Sequence, residues 1–80
     1  MFSKKPTSTD TPLSKNIILT PRQRDCLQYI ADGYTARHIG YRLGISQRMV
    51  RFHLEKARNK LGVSSTIQAV YLATKAGLID

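Results

Sequence analysis

At 80 residues the chain has room for one domain with a small core. Its net charge of +8 and pI near 10.2 point to a polyanionic partner, and nucleic acid ranks first because bases that neutralise phosphates release counterions. A lone cysteine, Cys26, excludes an intrachain disulfide and fits a reducing compartment, and no apolar run is long enough for a signal peptide or a membrane span, so a cytoplasmic location is expected.

The charge is concentrated. From Leu19 to Asp80 ten Lys or Arg face four acids, and Ser46 to Gly62 holds five bases against Glu55 alone. An anionic membrane surface is the rival partner, but the chain has no Trp and the apolar stripe of its basic helix is needed for a core.

Residues 1–18 read as a flexible tail or linker, rich in Ser, Thr and Lys and broken by Pro6 and Pro12. Ile17, Ile18 and Leu19 are expected to pack as the chain enters a domain over 19–80. Thr20-Pro21-Arg22-Gln23 meets three helix-start rules, a hydroxyl N-cap, proline at the first position and Gln at the third for a capping box, so a first helix is predicted over about 21–32. Cys26, Leu27, Ile30 and Ala31 give its apolar face, with Cys26 a small buried hydrophobe, and Gly33 ends it.

Thr35 can cap a shorter second helix carrying Ile39 and Leu43, closed by Gly44. Gly40, inside this helix, implies the close approach of another helix. Ser46 then caps a third helix over about 46–61. At about 3.6 residues per turn, Val50, Leu54, Ala57 and Leu61 form its buried stripe, and Gln47, Arg48, Arg51, Glu55 and Arg58 project from the other side. Two helices joined through a glycine turn, the second of them basic, make a helix-turn-helix signal.

Ser65, with Gln68 at the capping-box position, opens a fourth helix that ends near Ala76 before Gly77. It is apolar on two sides. Ile67, Val70, Tyr71 and Thr74 form one stripe, and Ala69, Leu72, Ala73 and Ala76 the other; one can serve the core and the other needs a partner. The second set is taken as the dimer seam.

LTPRQRDCL (19–27), Gly33, IGYRLGIS (39–46), VRFHL (50–54) and KLGVSSTIQAV (60–70) together resemble the LuxR-type, or GerE-like, helix-turn-helix domain of bacterial transcription regulators, over Leu19 to Ile79. The resemblance implies an all-α, four-helix domain whose third helix enters the major groove of DNA and whose fourth helix mediates dimerisation. It carries base-edge contacts onto Arg51 and Glu55, and phosphate contacts onto Arg37 and Lys60. Gln47, Arg48 and Phe52 complete the expected base-reading set, and Arg58 and Ser46 the phosphate set. Arg51 has the fork geometry for guanine O6 and N7, and Glu55 can accept from cytosine N4.

Some positions depart from the pattern. Gln23 stands where the family usually has Glu, Met49 replaces a common Thr, His38 lies where Glu is frequent, and Glu55 is acidic where some members carry a base. The final helix-turn-helix domain of bacterial sigma factors is a competing resemblance through PRQR and the pair Ala57-Arg58, but the ending GVSSTIQAVYLATKAGLI belongs to the LuxR pattern.

No catalytic constellation is found. His38 and His53 lie fifteen positions apart without Cys or carboxylate neighbours at ligand spacing, and the glycines form no phosphate loop, so neither a metal, a cofactor nor an enzyme is expected. The sequence therefore reads as a sequence-specific regulator that binds double-stranded DNA at an inverted repeat as a homodimer, weakly paired off DNA, with RNA polymerase as a further partner. The alternative, an antagonist that forms heterodimers with a full-length relative, has no use for the basic face of the third helix.

Overall fold

The computed structural model describes residues 17–80, which form four helices in chain order: α1 Pro21–Ala31, α2 Ala36–Leu43, α3 Gln47–Leu61 and α4 Thr66–Lys75. Apart from Ile17 and Ile18, the tail expected over 1–18 lies outside the described residues. α3 is the central strut and packs against each of the other three helices, while α1 also touches α2 and α4.

Each helix starts where a hydroxyl can cap it. Thr20 Oγ1 accepts the Gln23 N–H at 3.1 Å while Gln23 Oε1 accepts the Thr20 N–H at 3.0 Å, a complete capping box that satisfies Gln23, the one buried polar side chain among the described residues. Thr35, Ser46 and Ser65 accept from the third residue of α2, α3 and α4. At α4 the box stays half-made, because Gln68 Oε1 accepts from the Ser65 hydroxyl rather than from its backbone.

The core is Cys26 and Leu27 of α1, Ile39 of α2, Val50, Leu54, Ala57 and Leu61 of α3, Ala69 and Ala73 of α4, and Ile79, which folds back after the last helix. Burial of Cys26 pushes its thiol above the ordinary range, as fits a small core hydrophobe. Two sequence expectations are corrected. Ile17 and Leu19 pack against the core, but Ile18 between them is 77% exposed, as an extended segment alternates its sides. On α4 the two stripes exchange roles. Ala69 and Ala73 are fully buried, Leu72 and Ala76 are half-buried, and Ile67 and Tyr71 stand 80% and 59% exposed. The alanines take the inward positions of α4, Val70 and Leu72 pack partly against the core, and Ile67 and Tyr71 are left outside.

Gly40 answers a close approach, although of backbone at the turn rather than of a helix face. A Cβ there would lie 2.6 Å from the Ile45 carbonyl oxygen and 3.3 Å from the Gln47 nitrogen. The Gly40 carbonyl accepts the Ile45 N–H at 2.9 Å, and Gly44 turns the chain with φ of 72°. Helix propensity alone would make Gly40→Ala stabilising by about 1 kcal/mol. The contact reverses the sign: a loss of about 1–3 kcal/mol is expected in urea unfolding at unchanged slope, and a stabilised variant would contradict the packing.

Candidate nucleic-acid interface

α3 divides its circumference in two. Val50, Leu54, Ala57 and Leu61 face inward, and directly opposite them run Arg48, Phe52, Glu55 and Asn59, all exposed. Arg51 and Gln47 are exposed on the flank next to this crest, and Met49, Lys56 and Lys60 are exposed on the other flank. Among the described residues the one ion pair is Arg22–Asp25 on α1, so neither Arg51 nor Glu55, one turn apart, is tied up in a salt bridge.

Arg37 lies in the first turn of α2 and lines an open hollow with Thr35, His38, Tyr41, Ile45 and Gln47. Arg37 and the start of α3 therefore share one side of the domain. The Ser46 hydroxyl oxygen accepts the Met49 N–H at 3.0 Å at the same place, which leaves its own proton free to donate.

Two of the expected phosphate contacts have partners within the chain. Arg58 is half-buried two turns beyond Arg51 on the same flank, and its Nη1 donates to Thr66 Oγ1 at 3.0 Å, so it braces α3 against the start of α4. Lys60 Nζ donates to the Ile18 carbonyl at 2.8 Å, holding the incoming strand to the last turn of α3. Both keep further N–H groups free. His53, intermediate in exposure, meets the Phe52 ring edge-on at 5.8 Å.

Two further contacts lie outside the sequence expectations. Lys56 extends over the Phe52 ring, its Nζ 5.4 Å from the centroid, although a base at i+4 from an exposed aromatic is a readable signal. Arg42, in the last turn of α2, lies over both Tyr29 and Tyr34, 5.8 and 5.2 Å from their centroids, and donates to the Tyr34 hydroxyl at 3.0 Å. The two rings meet edge-on at 5.0 Å. This clamp fixes the end of α2 to the α1–α2 turn.

The arrangement is that of a helix-turn-helix domain, with α2 across the start of an outward-facing basic α3. The family described as bacterial regulatory proteins, luxR family, matches residues 17–73, and the chain belongs to it. It is 42% identical over 64 residues to the transcriptional activator protein SolR of Ralstonia solanacearum, covering 80% of this chain and 27% of that protein. It is also 42% identical over 72 residues to the HTH-type quorum sensing-dependent transcriptional regulator RpaR of Rhodopseudomonas palustris, covering 90% and 29%. The chain thus spans under a third of the length of these curated relatives. Among solved structures it is similar to the transcription factor GerE, with a TM-score of 0.75 and 34% identity over 78% of this chain and 92% of that one. The family is one of transcription regulators. No group of metal-ligating side chains occurs among the described residues, and no helix there is long and apolar enough to cross a membrane.

The clamp gives a stability prediction. Arg42→Met should cost about 1–2 kcal/mol in thermal or urea unfolding, and Tyr34→Phe, which removes one hydrogen bond, less. An Arg42→Met protein as stable as the parent would show that the stacked contacts hold nothing in place.

Proposed function

We propose that the chain binds double-stranded DNA sequence-specifically as a two-fold dimer, with the outer face of α3 in the major groove. The observation that carries this reading is the split of α3: an apolar stripe sealed in the core, and Arg48, Arg51 and Glu55 exposed on the outside with no ion pair among the described residues. Arg51 is the fork for guanine and Glu55 the acceptor for cytosine N4 on one half-site. Arg37, beside the start of α3, anchors phosphate, with Ser46, Lys60 and Arg58 contributing the donors left over from their internal bonds.

Exposure supports a dimer seam on the Ile67 and Tyr71 side of α4, with Val70 and Thr74, in place of the set containing Ala69 and Ala73. A seam of this size is small for a stable free dimer, so pairing is completed on DNA. Two-fold symmetry then places the two α3 helices in successive major grooves about 34 Å apart, on an inverted repeat with half-site centres about 10 bp apart.

Selection of bound duplexes from random DNA tests the reading, and enrichment of such a repeat is expected. Against the selected site, Arg51→Ala should lose about 1–3 kcal/mol and relax one base position, whereas Arg37→Ala should weaken all sequences alike and lower the salt slope by about 1. Equal loss on every sequence in Arg51→Ala would make it a phosphate contact instead.

The seam has its own test. Tyr71→Glu should keep native helicity and half-site binding but lose cooperative occupancy of the whole site, because two charges would meet across the axis. Leu72→Glu should have the smaller effect. If cooperativity survives in a folded Tyr71→Glu protein, the exposed strip is not the seam.

A further inference from the structure

We propose that Phe52 reads the C5 methyl group of a pyrimidine in the major groove, thymine in ordinary DNA and 5-methylcytosine where a cytosine at that position is methylated. The inference rests on the reading of α3 as the groove-entering helix and adds a chemical class of base feature to it.

Phe52 is misplaced for any role in the core. It sits at the crest of α3, opposite Val50, Leu54, Ala57 and Leu61, and is 45% exposed although the buried stripe is complete without it. A single exposed apolar side chain needs no explanation by itself. This ring, however, is held. His53 meets it edge-on at 5.8 Å with planes at 66°, and the Lys56 ammonium lies 5.4 Å from its centroid. One neighbour thus lies against the ring's edge, and the other holds a positive charge close to the ring.

The residues around it share out the rest of the groove. Arg48 lies one turn before Phe52 and Glu55 nearly one turn after it on the same face, and both are exposed. These are hydrogen-bonding groups suited to guanine and cytosine edges, whereas the C5 methyl is the one apolar feature that a base pair shows in the major groove, and it is met by apolar side chains. Phe52 is the one apolar side chain on this crest. An aromatic ring with only two rotatable bonds and two neighbours already beside it loses little freedom when it packs on a methyl group, so removal of that group should be felt.

The test uses the full chain and a duplex recovered by selection, with each thymine replaced in turn by deoxyuridine, which removes only the methyl group. At one thymine per half-site the parent should bind about fourfold more weakly, the factor expected for one buried methyl-sized group. In Phe52→Ala, checked for native helicity, binding should be insensitive to the same replacement, and Phe52→Leu should keep part of the sensitivity. Cytosine against 5-methylcytosine at that position forms the second arm: the parent should prefer the methylated duplex and Phe52→Ala should not. Sequence-selective binding with no thymine sensitive to the replacement, or a sensitivity that persists in Phe52→Ala, would overturn the assignment while leaving the DNA-binding reading intact. Failure to enrich any sequence would overturn both.

Discussion

The direction in which α3 faces depends on one constraint, the sealing of Val50, Leu54, Ala57 and Leu61 among the other three helices. Burial of the larger of these side chains contributes about 1.5–3 kcal/mol each. A rotation of α3 by one residue would expose that stripe and drive charged or polar side chains into a core that holds no partners for them. The outer face is thus fixed by what the inner face buries. The turn before it is fixed as tightly, since Gly40 admits the Ile45 carbonyl where no other side chain fits, and Gly44 supplies the left-handed residue.

The same small core shapes α4. With Ala69 and Ala73 as its inward residues, α4 can lie close to α1 and α3 without leaving space to fill. The consequence is that Ile67 and Tyr71 stay largely exposed, with Lys75 over the Tyr71 ring at 5.7 Å. An open hollow lined by Ile30, Ala36, Arg51, Leu54, Arg58, Thr66 and Ile67 connects this strip to the flank of α3. In the proposed complex, seam and groove contacts lie near one another, so the position of one α3 on DNA bears directly on its symmetry mate.

Local signals are legible in the sequence because the physics behind them is local. The caps at Thr20, Thr35, Ser46 and Ser65 and the buried stripe of α3 involve residues at most a few turns apart. What could not be read required knowing which elements meet. Both stripes of α4 are apolar, and hydrophobicity favours the larger one for the core; only the closeness of the neighbouring helices selects the alanines. Arg58 looks like a free base until its partner Thr66, beyond the turn, is seen beside it. The Lys60 bond to Ile18 spans 42 positions, and the Arg42 clamp needs the α1–α2 turn to bring Tyr29 and Tyr34 together.

In the proposed complex one helix serves as strut on its inside and as reader on its outside. Nuclear magnetic resonance of isotope-labelled protein, free and bound to a selected duplex, tests it most directly, with backbone amides and arginine side-chain N–H groups followed together. The largest changes should fall on Arg48, Arg51, Phe52 and Glu55 and on Arg37 at the start of α2, while Leu27, Ile39 and Ala73 keep their free-state environments. Changes centred instead on α1 or on the outer strip of α4, with the crest of α3 unmoved, would contradict the account.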